Sequence, residues 1–278
     1  MSDAFWRAIS VGFVAVFVMT APMETSAQDL MQEFDCIIEP RTVAKIGSSG
    51  EGLIESITVG RGDIVRRGDV LATLESTLER AEMELAGVRA NNDVEVASSK
   101  ARLAFEVERL TRTETLHAKG VVPVSALEEA KTAHMLAKFS VRSAELDMKL
   151  ARLALRQAQV VLERRTIHSP VDGIVTERNL APGEYAYDQS PLMTIAEMDP
   201  LNVEVYVPIE RYDSISRGMT AQVMPEQPIG GTYDAKVSVK DKVFDAASGT
   251  FGIRLELSNT NYALPAGLKC RVRFKNAE

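Results

Sequence analysis

Apolar positions along this chain change their spacing from segment to segment, and the changes divide it. Ile54, Ile57 and Val59 lead into Gly60-Arg61-Gly62-Asp63. Ile64 and Val65 follow, then Gly68-Asp69 and the run Val70-Leu71-Ala72-Thr73-Leu74. Such short alternating runs, broken by glycine turns, predict strands with one buried face. From Ser76 the spacing lengthens to that of a helix. Ser76 with Glu79 reads as a capping box, and Leu78, Ala81, Leu85 and Val88 as the first core stripe. The pattern loosens at Asn91, Asn92 and Asp93, resumes through Leu103, Val107, Leu110 and Leu116, and ends at Gly120. A second box, Ser125 with Glu128, opens another helix. Its core reads Leu127, Ala130, His134, Ala137, Val141, Ala144, Met148, Ala151, Leu155, Ala158 and Leu162, alternating steps of three and four as in a coiled coil. Two such helices predict a hairpin about 60 Å long at 1.5 Å per residue.

Beyond Pro200, alternation returns in Leu201-Val203-Val205-Val207, Phe251-Ile253-Leu255-Leu257 and Cys270-Val272-Phe274. Turns at Arg217-Gly218, Gly230-Gly231 and Pro265-Ala266-Gly267 separate the runs, with a short helix at 209–216. A small closed barrel is the simplest way for these strands to lose their edges. Residues 28–42 are expected to add a strand to it.

The β segment before the helices has a copy after them. Residues 46–75 lie over 167–196 without a gap: Ile46/Ile167, Ser48/Ser169, Gly52/Gly173, Gly62/Gly183, Leu71/Leu192 and Thr73/Thr194 are identical. One β domain is therefore cut in two by the helical insertion, and each half buries its apolar face only against the other. The expected fold class is mixed α and β and elongated: a β-sandwich, residues 43–75 with 166–199, split by a long antiparallel α-helical coiled-coil hairpin, 76–165. A small β-barrel, 200–278, follows.

A net charge of −7 with a pI near 5.3 in 278 residues speaks against nucleic-acid binding. Residues 1–27 carry one Arg before the apolar run from Ala8 to Ala21, then small residues to Ala27, the order of a cleaved secretory signal. Cys36 lies too far downstream to serve as a lipid anchor, so a soluble, exported protein is expected. In an oxidising compartment Cys36 and Cys270 form either a disulfide or two separate buried thiols. No catalytic constellation assembles: His117, His134 and His168 lie far apart in the chain, and the methionines form no cluster. No enzyme activity, cofactor or metal is expected. A lipoyl or biotinyl carrier would need a Lys on the turn joining its halves, and none occurs between Lys45 and Lys100.

The chain resembles the HlyD-like periplasmic adaptor proteins, or membrane fusion proteins, of tripartite efflux systems, the RND type foremost. The resemblance rests on Gly52, Gly62-Asp63, Gly68-Asp69 and Leu71. Answering them are 169–173 (SPVDG), Pro182-Gly183-Glu184, the run 251–259 and Leu264-Pro265-Ala266-Gly267. It implies that the split β domain is lipoyl-like and that the protein links an inner-membrane transporter to an outer-membrane efflux channel. It further implies a periplasmic homo-oligomer, trimer or hexamer, that supports small-molecule export. Members that dock onto such a channel carry an Arg, a Leu four residues later and a Ser seven further on at the hairpin tip. Arg112 and Leu116 match, the third position is Pro123, and the nearest hydroxyl is Ser125. Arg112, Leu116, Val121, Val122, Pro123 and Ser125 are thus the candidate partner-binding residues. The alternative is an oligomeric scaffold, or an adaptor that binds only an ABC- or RND-type inner-membrane transporter. Many relatives continue past the barrel into a further β domain, whereas Glu278 follows Phe274 closely here, so pump contact is expected to fall to the barrel.

Overall fold

The computed structural model describes residues 32–187 and 190–275. The leader expected at 1–27 and the start of the 28–42 segment lie outside them. Two β cores are joined by two long strands. Strands β1 (Phe34–Ile46), β8 (Met193–Pro208), β9 (Thr220–Pro225), β10 (Tyr233–Asp245), β11 (Thr250–Leu257) and β12 (Leu268–Phe274) pair in the order β1-β12-β9-β10-β11-β8. The pairing of β1 with β8 closes the ring. Inside lie Ile38, Leu201, Val203, Val205, Val207, Val223, Phe251, Ile253, Leu255 and Val272, the inward set of each alternating run. The segment expected to be a short helix forms one 3-10 stretch, Ile209–Ser214. Cys36 and Cys270 stand opposite each other in the β1–β12 ladder and are joined by a disulfide.

The first halves of β8 and the last residues of β1 run on into the second core. There they meet β2 (Gly52–Ile57), β3 (Ile64–Val65), β4 (Val70–Leu74), β5 (Thr166–His168), β6 (Gly173–Arg178) and β7 (Tyr185–Ala186). The sequence repeat is a structural repeat that extends to single hydrogen bonds. Asp63 accepts from the Gly60 amide at 2.7 Å, and Glu184 accepts from the Ala181 amide at 3.0 Å. The halves then exchange bonds: Gly62 N donates to Val175 O at 2.8 Å, while Gly183 N donates to Ile54 O at 2.9 Å. Both glycines hold a positive φ, +93° and +87°, which an L side chain adopts only with strain. Ile46 and Ile167, and Leu71 and Leu192, meet in one core with Ile54, Leu74, Val175 and Ile195.

Between the halves stand three helices rather than two, forming a helical arm. Helix α1 (Thr77–Asn91) and α2 (Val94–Ala118) both pack on α3 (Val124–Glu163). The break falls at Asn92-Asp93, where Asn92 turns extended and its side chain accepts from the Val94 amide at 3.2 Å. All eleven α3 positions read as core face the seam, at least half-buried, His134 among them. On α1 the expected stripe is wrong. Leu78, Leu85 and Val88 are exposed, and Glu79, Met83, Ala86, Gly87 and Ala90 face α3 instead. On α2 the seam runs Val96, Ser99, Leu103, Glu106, Leu110, Thr113 and His117, so Val107 points outward. Neither capping box forms. Glu79 bonds Arg165, and α3 starts one residue after Pro123, ahead of Ser125.

Candidate functional site

The free end of the arm is the turn between α2 and α3. Gly120 takes φ +70° to reverse the chain, and its amide bonds His117 O at 2.9 Å. The Val121 amide bonds Leu116 O at 3.0 Å, which tucks Leu116 half-buried beneath the turn. The His117 ring nitrogen Nδ1 pairs with Val122 O at 3.0 Å and ties the two sides together. Pro123, at φ −71°, precedes the first turn of α3, where a missing N–H costs nothing because that amide has no helical partner. Arg112, Val121, Pro123, Val124 and Ser125 reach solvent, Val121 at 66% and Val124 at 62% exposure. Of the six tip candidates, Leu116 and Val122 are partly covered and the other four are open. Val124 is an exposed apolar neighbour that sequence reasoning left out.

This surface is small and largely apolar, with Arg112 and the exposed Lys119 as its cations. Among the described residues no group of three or more His, Cys, Asp or Glu could hold a metal ion. An exposed apolar tip of this kind is suited to burying side chains against a partner.

At the other end, the arm is fastened to the β module by Arg165, the second residue after α3. Its Nε donates to Glu79 Oε1 at 2.9 Å and its Nη1 to Glu51 O at 2.6 Å, while Nη2 makes a further bond to Glu79. Ser49 Oγ donates to Arg164 O at 3.1 Å. Glu79 is buried, so one ion pair couples the start of α1, the end of α3 and the Glu51-Gly52 backbone. The sequence marks Arg165 only as a cation at a helix C-terminus, since its partner lies 86 residues away.

A third feature is a cleft of about 710 Å³ on the barrel, lined by Asp35, Glu39, Glu204, Tyr206, Asp241 and Arg254 beside the disulfide. Glu204 hydrogen-bonds Arg254 and raises the guanidinium pKa above its ordinary value.

Residues 42–197 match the family described as CzcB-like, barrel-sandwich hybrid domain. The chain is 26% identical over 241 residues to the nickel-cobalt-cadmium resistance protein NccB of Alcaligenes xylosoxydans xylosoxydans, covering 86% of this chain and 56% of that one. It is 23% identical over 218 residues to the cobalt-zinc-cadmium resistance protein CzcB of Cupriavidus metallidurans, covering 78% and 39%. The chain thus spans about half the length, or less, of these relatives. Among solved structures it is similar to MacA from Actinobacillus actinomycetemcomitans, with a TM-score of 0.75 at 17% identity over 89% of this chain and 80% of that one, a likeness of fold. No helix among the described residues is long and apolar enough to cross a membrane.

Proposed function

This chain belongs to the CzcB-like barrel-sandwich hybrid family of membrane fusion adaptors, and from that premise we propose that it is the periplasmic adaptor of an efflux system. In this reading it links an inner-membrane transporter of the RND type to an outer-membrane channel and supports export of small molecules. Residues 43–75 with 166–199 act as the lipoyl-like base, 76–165 as a coiled-coil hairpin and 200–278 as the barrel that faces the transporter. Residues 1–27 are a leader removed on export. Several copies stand side by side, because a conduit cannot be sealed by one.

The observation that carries this reading is the position of the tip. Helix α3 has 40 residues, so Val121, Pro123 and Val124 stand some 60 Å from its base at 1.5 Å per residue. An arm of that reach adds nothing to either β core. Its use is to meet a partner far from the base.

A pulldown from detergent-solubilised membranes, with the mature protein as bait, tests the bridge. Recovery of both a transporter and an outer-membrane channel supports it, and recovery of neither sinks it. Leu116→Asp is expected to weaken channel recovery about tenfold or more while the circular dichroism spectrum stays that of the wild type, since loss of one interface anchor costs more than 1 kcal/mol of binding. Unfolding of that variant would show that Leu116 serves the core. Pro123, where channel-docking relatives carry a hydroxyl, favours one second reading, an adaptor engaged only by its transporter. Recovery of the transporter alone selects it.

A further inference from the structure

The cleft on the outer wall of the barrel carries carboxylates that nothing on the chain answers. Asp35, Glu39, Glu204, Glu226 and Asp241 line it against two cations, Arg254 and Lys269. Glu204 is taken up by Arg254. Among the described residues the side chains of Asp35, Glu39, Glu226 and Asp241 have neither a hydrogen bond nor an ion pair. On the neighbouring wall, by contrast, Glu33 is paired with Arg271 and Arg273, and Asp234 with Lys275.

The cleft holds one cation of the chain's own. Glu204 hydrogen-bonds the Arg254 guanidinium, and the charges of Glu204, Asp241 and Glu39 further favour its protonated form. Asp241 is brought there by a bulge, in which β10 sets 241–243 against Gly252 alone. A Cβ on Gly252 would strike the Asp241 carboxylate, so the missing side chain lets that carboxylate lie against β11. Between the charges the wall is open and apolar. Ile37, level with Glu204 and Lys269, is 47% exposed, and Tyr206, level with Gly252, is 68% exposed. Asp35 and Glu39 stand on one face of β1, about 13 Å apart at 3.3 Å per residue. A metal ion gathers its oxygens within about 2.6 Å. Carboxylates spread this widely suit several cationic groups in a row, the chemistry of a polypeptide and not of a single ion.

We propose that this face of the barrel docks an extended, arginine-bearing segment of a partner protein, whose guanidinium groups meet Asp35, Glu39 and Asp241 while their stems cover Ile37 and the Tyr206 ring. Arginine suits both halves of the surface, since its planar fork bonds a carboxylate through two N–H groups and stacks on an aromatic face. Lys269 repels a cation on the β12 side and so confines the segment to β10, β11, β8 and β1. The surface lies on the barrel and not on the arm, so it is testable without any partner of the tip.

The probe is a fluorescein-labelled peptide of alternating arginine and serine, titrated with the mature protein and followed by fluorescence anisotropy at low salt. Asp35→Asn, Glu39→Gln and Asp241→Asn together are expected to weaken binding about tenfold or more. Glu82→Gln, Glu84→Gln and Glu95→Gln on the arm remove the same charge from exposed, unpaired positions and should change affinity less than about twofold. Equal losses in the two triple variants would mean that the peptide only follows the net charge of −7, and overturn the proposal. So would failure of the wild type to bind the peptide. Tyr206→Ala removes no charge, and a several-fold loss is expected of it; wild-type affinity in that variant would mean the cleft floor makes no contact. Titration with calcium ion and with arginine amide completes the test. Either one bound as tightly as the peptide would make the occupant a single cation, and overturn docking of a segment.

Discussion

At the scale of single residues, the repeat is most instructive where its copies differ. Gly52 and Gly173 are equivalent in sequence, but a Cβ on Gly173 would come 2.9 Å from the Ala196 carbonyl carbon and nearer still to its oxygen, both backbone. A Cβ on Gly52 would come 2.9 Å from Arg165 Nη1, the end of a flexible side chain. Gly173→Ala should therefore cost about 1–3 kcal/mol or more as overpacking, and Gly52→Ala clearly less. Urea denaturation of the two variants compares them directly. Equal losses would mean Arg165 cannot move aside. Glu106 is the other residue out of step with its setting. It sits in the α2 seam with Oε2 buried and without a hydrogen bond, 3.6 Å from Arg109. A buried carboxylate so weakly matched costs about 1–3 kcal/mol. Glu106→Leu is expected to raise the melting temperature by a few degrees, and a fall would show that the charge is satisfied.

At the scale of elements, the strands and turns were legible because their signals are local. Alternation marks a half-buried strand, and a glycine with positive φ marks its turn, whatever the rest of the chain does. Faces of helices were less so. Helix α3 offers an alanine-rich stripe and a leucine-rich stripe two residues out of step with it, and α1 offers Leu78, Leu85 and Val88 beside Met83, Ala86 and Ala90. Close approach of two helices favours the small residues at the contact, so the larger ones on α1 went outside, against their hydrophobicity. The capping boxes misled for a related reason: Glu79 has a better partner in Arg165 than the amide at its own helix end. The tip candidates rest on the family pattern alone, since nothing in the spacing of Arg112, Val121 or Pro123 marks them by itself. Cys36 and Cys270 stand in strands adjacent in space and 234 residues apart in sequence. Closing so long a loop is worth up to about 5 kcal/mol by the chain-entropy argument. The strand they bind, β1, is held there also by Glu33, whose carboxyl Arg273 and Arg271 keep below its ordinary pKa. The double variant Cys36→Ala with Cys270→Ala should keep the β spectrum but melt earlier, as should reduced wild type. An unchanged melting point for both would mean the β1–β12 ladder holds without the bond.

At the scale of the whole molecule, the arm is useful only if it is aimed, and its aim is set where two chain passages cross into the β module. The peptide links at Glu75-Ser76 and Arg165-Thr166 are single strands that resist bending poorly. Resistance comes from Arg165, which joins Glu79 on α1 to the Glu51 carbonyl on the base, and from Ser49 bonded to Arg164. Breaking the ion pair by removing one partner leaves Glu79 buried and unpaired, a loss of about 3–5 kcal/mol if nothing relaxes. The local penalty can be relieved if the arm tilts and lets water reach the carboxylate. Arg165→Leu is thus predicted to trade stability for motion. Electron-electron distances between spin labels at Ser98 on α2 and Arg178 on β6 should broaden and spread over several ångströms, while Glu79→Gln with Arg165→Leu regains thermal stability but not the narrow distribution. A distribution as narrow as wild type in both variants would place the stiffness of the joint in the packing of Met83, Leu162 and Leu74 around it, and not in the ion pair.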